Sequence, residues 1–291
     1  MDQAPHVLTR PLFPLPLLLL LLLALTPARA AATDPPEQDF QLWNQVYLDG
    51  NLDHWAKGLR ANLDLQVRRM NAPLNYSRDA EGNIVDSRQN PNTMLLVRPA
   101  VGYAWAPWGA ALLGYAWVPD YFDDPAAART RTFDEHRIFQ QFNFRWGISG
   151  RLDLSTRIRV EQRFRSRGPG SGDVVDGVAQ DGGKSRWAFR YRQQFRLALN
   201  FVQDQPWQLI VWDEPFFHLN STQYPSEPGL DQNRAFLGLG YDAKPLRVEL
   251  GYLNQYVRRF TDPHQVNHAF ALNFVVKLGG DQARKSRQSP Q

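Results

Sequence analysis

The sequence predicts an all-β protein, an antiparallel transmembrane up-and-down β-barrel of about 10 to 12 strands with short periplasmic turns and longer outer loops. Three observations carry that expectation. First, Arg151, Asp153, Ser155, Arg157, Arg159, Glu161, Arg163 and Arg165 interleave with Leu152, Leu154, Thr156, Ile158, Val160, Gln162 and Phe164. A period of two puts these sets on opposite faces of one strand. That strand exceeds the about 9 to 11 tilted residues needed to cross a bilayer, whereas ordinary strands run to about 5 or 6. Second, such segments recur along the chain with no amphipathic helix between them. Third, the connections alternate in length.

The chain begins with a targeting signal. Arg10 precedes an apolar run from Leu17 to Leu25, and Ala28-Arg29-Ala30 supplies a small-x-small cleavage pattern. Residues 1–30 therefore read as a cleaved secretory signal peptide, followed by a polar lead-in over 31–38. The segment Phe40 to Leu48 looks like a strand, joined to the next by Asp49-Gly50-Asn51. It is open whether this segment is a partial strand, an insertion or the first member of a larger barrel. Counted without it, an even number of strands leaves both chain ends on the periplasmic side.

The remaining strands follow in order. Leu59, Ala61, Leu63, Leu65 and Val67 oppose Arg60, Asn62, Asp64, Gln66 and Arg68. Leu95, Val97, Val101, Tyr103 and Trp105 form one face of the next strand, and Ala111, Leu113, Tyr115 and Trp117 one face of its successor, with Ala110, Gly114 and Ala116 behind. Ile138, Phe142, Phe144 and Trp146 oppose Glu135, Arg137, Gln141, Asn143 and Arg145. After the Arg151 strand, Trp187, Phe189, Tyr191, Phe195, Leu197 and Leu199 oppose Arg186, Arg190, Arg192, Gln194 and Arg196. The stretch Trp207 to His218 is apolar on both faces and its assignment is ambiguous. Three further alternating runs, around Leu237, Leu250 and Phe270, complete a barrel expected over 39–278, with a polar basic tail over 279–291.

Trp108-Gly109, Ser149-Gly150, Asp204-Gln205 and Ala243-Lys244 mark tight turns, while Asn71 to Asn92, Asp120 to Thr132, Ser166 to Ser185 and Asn220 to Leu230 read as long polar loops. Tyr103, Trp105, Trp108, Trp146, Trp207 and Tyr241 fall towards the tight-turn end. Trp117, Tyr121, Trp187, Tyr252 and Tyr256 fall towards the other. Two aromatic girdles flanking an apolar band are expected of outer-membrane barrels.

Composition excludes several classes. There is no cysteine, so neither disulfides nor thiol chemistry are available. Mean hydropathy is negative, which excludes a bundle of transmembrane helices but not a barrel. The net charge of +4 comes from a chain with only five lysines; its cations are overwhelmingly Arg, which keeps its charge when desolvated and forks onto carboxylates. These arginines line one face of secreted strands instead of an exposed basic tract, which argues against nucleic acid as a partner.

With apolar faces in lipid, the polar faces line a lumen. The candidate interior charge network is Arg137, Arg157, Arg159, Glu161, Arg163, Arg190, Arg192, Arg196, Arg234 and Glu249. It reads first as a ladder that fills and rigidifies a narrow barrel, and second as a passage or pocket for a small anionic solute, since Arg rings select anions. No metal-binding spacing occurs, and neither metal nor cofactor is expected. No catalytic constellation stands out; His218-Leu219-Asn220-Ser221, the one local candidate, reads as a loop-capping cluster.

Phe40-Gln41-Leu42-Trp43, Arg137-Ile138-Phe139-Gln140-Gln141, Arg159-Val160-Glu161-Gln162-Arg163-Phe164, Asp213-Glu214-Pro215-Phe216-Phe217, Asp231-Gln232-Asn233-Arg234 with Gly238-Leu239-Gly240-Tyr241, and Glu249-Leu250-Gly251-Tyr252 occur in that order. Together they resemble the domain-of-unknown-function 2490 family. The resemblance implies a secreted Gram-negative outer-membrane β-barrel, with outer-membrane lipid and the β-barrel assembly machinery as partners; it brings no established activity or catalytic residue. Many such barrels end on an aromatic residue, whereas this chain runs on through Gly279-Gly280 to Ser289-Pro290-Gln291. The tail then hangs in the periplasm, or the assembly signal lies within Phe270 to Leu278. An envelope enzyme acting on lipid or glycan at the barrel rim, and a soluble periplasmic ligand-binding β-protein, are the alternatives.

Overall fold

The structure, a computed structural model, describes residues 36–70, 73–78, 84–89, 92–124, 129–148, 151–165, 174–175, 178–179, 187–202, 205–222, 227–258 and 264–279. The signal peptide expected over 1–30 and the tail beyond Gly279 lie outside the described residues. The strands are β1 (Glu37–Asn51), β2 (Leu59–Met70), β3 (Pro73–Arg78), β4 (Ile84–Gln89), β5 (Asn92–Ala106), β6 (Gly109–Asp124), β7 (Arg129–Gly147), β8 (Leu152–Arg165), β9 (Val174–Val175), β10 (Val178–Ala179), β11 (Trp187–Leu199), β12 (Trp207–His218), β13 (Gly229–Ala243), β14 (Leu246–Val257) and β15 (Gln265–Leu278). Eleven of them close a barrel in the order β1-β15-β14-β13-β12-β11-β8-β7-β6-β5-β2, while β3–β4 and β9–β10 form separate two-stranded sheets.

One open expectation is decided here and one is corrected. Phe40 to Leu48 is the first member of a larger barrel: it lies in β1, which begins at Glu37 inside the expected lead-in and pairs with β15 from Glu37 to Gly50 and with β2 from Leu42 to Asn51. The strand count is therefore odd, so β1 and β15 run the same way and their ladder, from Glu37↔Gln265 to Gly50↔Leu278, is parallel, while all other barrel ladders are antiparallel. The expected long loop from Asp120 to Thr132 is largely strand, because β6 and β7 stay paired out to Asp124↔Arg129. Tyr121, Phe122, Thr130, Thr132 and Phe133 are residue types that favour extended backbone, and they outweighed the Asp and Pro signals nearby.

The barrel has two unlike rims. At one rim lie the tight connections around Pro107-Trp108 and Lys244-Pro245, together with the ends of β1 and β15. The turn from β1 to β2 is also here. Gly58 adopts φ of 84°, a conformation that a side chain disfavours, and donates its N–H to Asp53 Oδ1 at 2.8 Å while its carbonyl accepts Ala104 N–H at 2.7 Å. The opposite rim carries the start of β1 and the connections that hold β3–β4 and β9–β10.

Alternation sorts the side chains. Outward lie Phe40, Val101, Leu113, Leu237 and Phe270, each more than half exposed. Tyr103, Trp105, Trp108, Trp207 and Tyr241 project at the tight-turn rim, where Trp207 and Tyr241 pack edge to face at 4.9 Å, and Trp117 and Trp187 project at the other. Two Tyr–His pairs also sit on the outer face at matching heights: Tyr115 with His136 and Tyr252 with His268, hydroxyl to Nδ1 at 2.5 and 2.6 Å.

Inside, small residues make room for large ones. Phe139 of β7 lies over Gly114 of β6, so that a Cβ on Gly114 would strike its ring. Phe236 covers Gly238 and Gly251 in the same way. Trp43, Ala198, Ile210, Phe236, Leu253, Ala269 and Ala271 form an apolar cluster that joins six strands through the lumen. Side chains, and not solvent, fill much of the bore, as expected of a narrow barrel.

Candidate functional site

The register decides which charges meet. Across β8–β11, Arg190 is the direct partner of Glu161, but Arg192 faces Arg159; across β7–β8, Arg137 faces Arg163. Like charges directly opposite are destabilising. Each such pair is relieved by a carboxylate one step along the same face. Glu135 accepts Arg137 Nε at 2.6 Å and takes Arg163 in a fork at 2.6 and 2.9 Å. Glu161, 1% exposed, accepts Arg190 Nε at 2.9 Å and Arg192 Nη1 at 2.7 Å, with Arg159 Nη1 at 3.7 Å. Glu214 then takes Arg192 Nη2 at 3.0 Å and Arg157 Nη2 at 2.9 Å.

Aromatic rings support the guanidinium groups. Phe216, fully buried, lies beneath Arg192 at 4.2 Å, Arg234 at 4.5 Å and Arg190 at 5.2 Å. Phe139 faces Arg159 at 4.6 Å. Desolvated cation–π contacts of this kind contribute about 2 kcal/mol or more each. On the far side of the bore the network continues through amides. Gln265 donates to Asn267, Asn267 to Gln255 and Gln255 to Gln232 at 2.7, 3.0 and 2.5 Å. Charges on β7 to β12 and amides on β13 to β15 thus fill the lumen on the long-loop side of the bore.

Below this plug the lumen opens into a basin of about 500 Å³ that reaches the tight-turn rim at Pro107 and Trp108. Its lining holds ten basic side chains against six carboxylates. Near the mouth Arg145 pairs with Asp153 at 2.7 Å, Lys277 with Asp242 at 3.4 Å, and Glu249 with Arg196 and Arg247 at 2.7 and 2.8 Å. At the floor Asp64 accepts Arg98 at 2.9 Å. Arg68 and Arg234 are different. Among the described residues neither meets a carboxylate: Arg68 donates to Gln66 Oε1 at 2.6 Å, and Arg234 to Gln232 Oε1 at 2.8 Å. Both guanidinium groups face the Trp43 ring, at 3.9 and 5.0 Å.

The ten charges expected in the lumen separate into three groups. Arg137, Arg163, Arg190, Arg192, Arg157, Arg159 and Glu161 meet in the plug, Arg196 and Glu249 pair in the basin, and Arg234 stands on the basin floor. Sequence reasoning passed over Glu135 and Glu214 as network members and Arg68 as a floor residue. Glu214 lay hidden in the doubly apolar run of β12, whose inward face is in fact Gln208, Ile210, Trp212, Glu214, Phe216 and His218. The adjacent carboxylates Asp213 and Glu214 inside such a run were the available signal. His218 lies buried with Nε2 at 3.1 Å from Asp231 Oδ1, and Asn220 bridges to β11 by accepting Phe189 N–H and donating to Trp187 O, both at 2.8 Å.

A closed β-barrel whose lumen is part plug and part basic basin is the class of protein that this fold and interior define. Within it, the chain belongs to the family described as protein of unknown function (DUF2490), whose model matches residues 40–267. It is also 30% identical over 266 residues to an uncharacterized protein of Methylorubrum extorquens strain AM1, an alignment covering 89% of this chain and 97% of that protein.

Proposed function

We propose that the protein is an outer-membrane β-barrel of a Gram-negative envelope, exported by its signal peptide, with a structural and non-conducting barrel. The observation that carries this reading is the outward belt of Val101, Leu113, Leu237 and Phe270, bounded by Trp and Tyr at both rims. In water such a continuous apolar belt drives association, since monomeric soluble proteins rarely expose patches beyond a few hundred Å²; that weighs against a soluble periplasmic protein. The salt-bridged plug around Glu161 supports a closed lumen, so passage of an anion requires the plug to rearrange. Lipid of the outer membrane and the β-barrel assembly machinery are the partners this reading requires.

Membrane fractionation with an alkaline wash tests the location: the protein should stay with the outer membrane, show heat-modifiable migration, and keep both after deletion of Gly280 to Gln291. Recovery of the mature protein in the wash overturns the reading. Planar-bilayer recording tests the closed lumen, and a steady anion-selective current through the wild type would restore the passage reading.

A further inference from the structure

We propose that the basin is a binding site for a small organic acid, whose carboxylate docks between Arg68 and Arg234 at the basin floor. Both guanidinium groups are more than nine-tenths buried, yet each is held by a glutamine carbonyl, a neutral acceptor that orients without cancelling charge. Among the described residues Arg68 Nε has no hydrogen-bond partner. The carboxylates nearby are already engaged: Asp64 by Arg98, Gln45 and Gln66, and Glu214 by Arg192 and Arg157. The arginines of the plug each form an ion pair with a carboxylate; among the described residues Arg68 and Arg234 form none.

The geometry selects the ligand. Arg68 and Trp43 are direct cross-strand partners, and Trp43 has the small Ala271 on its other side; all three line the basin. Two guanidinium groups beside one indole offer forked donors, and a carboxylate is the acceptor that Arg forks match. The wall beside it, formed by Trp212, Leu253, Ala271 and Val275, is apolar. That wall suits the body of an organic acid and offers nothing to inorganic phosphate. A volume of about 500 Å³ is in the range of small-molecule sites. The mouth on the tight-turn side opens the basin to ligand at that rim, and the excess of basic side chains draws anions towards the floor.

Benzoate and inorganic phosphate serve as probes, titrated calorimetrically into full-length mature protein in detergent micelles at low salt. Benzoate should bind the wild type, at least tenfold more tightly than phosphate. Arg68→Gln and Arg234→Gln should each weaken benzoate at least tenfold, while Lys57→Gln, in the exposed turn outside the basin lining, changes it less than twofold. Thermal unfolding reads the same site a second way: benzoate should raise the midpoint of the wild type and leave those of Arg68→Met and Arg234→Met, each compared with its own benzoate-free value, unmoved. Absence of benzoate binding, equal or tighter binding of phosphate, unchanged affinity in both Gln variants, or a wild-type benzoate shift in both Met variants each overturns the proposal. These measurements do not depend on whether the outer face meets lipid, so failure of the outer-membrane reading is separately visible.

Discussion

Glu161 and Arg190 are direct partners across the β8–β11 ladder, joined at 2.9 Å and buried in the middle of the lumen. Glu161 also takes Arg192 and lies near Arg159, so a single carboxylate offsets two arginines that face each other and a third beside them. Removing one member of a buried pair leaves an uncompensated charge and costs about 3 to 5 kcal/mol. Glu161→Met should therefore destabilise the barrel by about that amount in urea unfolding from micelles. Adding Arg190→Met should recover part of the loss, because apolar replacement of both partners is tolerated where removal of one is not. A double variant no more stable than the single one would show that the pair is not coupled.

Gly114 tests the packing of the plug. Its missing side chain is the space that Phe139 occupies, and Phe139 in turn supports Arg159. Gly114→Val should cost about 1 to 3 kcal/mol by overpacking. Phe139→Ala in the same chain should lose less than the sum of the two single variants, since the added methyl groups then enter vacated space; additive losses would refute the contact.

The outer face gives a prediction that depends on its solvent. Leu113→Arg, at mid-height on β6, should cost about 2 to 4 kcal/mol in lipid. On a face exposed to water the same change is nearly neutral. Comparing the yield of heat-modifiable barrel for Leu113→Arg with that for Lys57→Arg, in the exposed turn, separates the two cases.

The β1–β2 turn titrates in a predictable direction. Hydrogen bonds from Arg60 Nη1 and Gly58 N–H to Asp53 hold its carboxyl down to about 2, from an ordinary 3.8. A lowered folded value means that the charged form favours the turn above about 3.8 and that this contribution is lost as pH falls through about 2. Carboxyl chemical shifts of Asp53 should titrate near 2 in the wild type and move upward in Arg60→Gln; an unmoved midpoint would refute the Arg60 assignment.

Strand faces were legible because alternation is a property of single strands. Arg159, Glu161, Arg190 and Arg192 could be placed inside from their own segments. Which of them meet depends on register between strands, and register is not written in any one of them: that Arg192 faces Arg159 becomes visible only in the folded ladder. Inward aromatics were illegible for another reason. Trp43, Phe139 and Phe216 have the hydrophobicity of outer-face residues, and only their parity against neighbouring charges marks them as interior. Arg68 was legible as a lumen-facing residue, but that it lacks a carboxylate depends on where Asp64 and Glu214 spend theirs. Parity of the barrel itself escaped sequence counting because β1 pairs with a strand more than two hundred residues away.

That odd count has a topographic consequence. In a barrel with an even number of strands both chain ends emerge on one side; here Glu37 and Gly279 emerge from opposite rims. In the proposed outer membrane, the segment ahead of Glu37 leaves on the side of the long loops and the segment after Gly279 on the side of the tight turns. An epitope inserted just ahead of Glu37 should be reached by antibody on intact cells, and the same epitope after Gly279 only once the outer membrane is breached. Placed in that proposed membrane, the protein is a two-sided post, with one end addressed to the surroundings and the other to the cell.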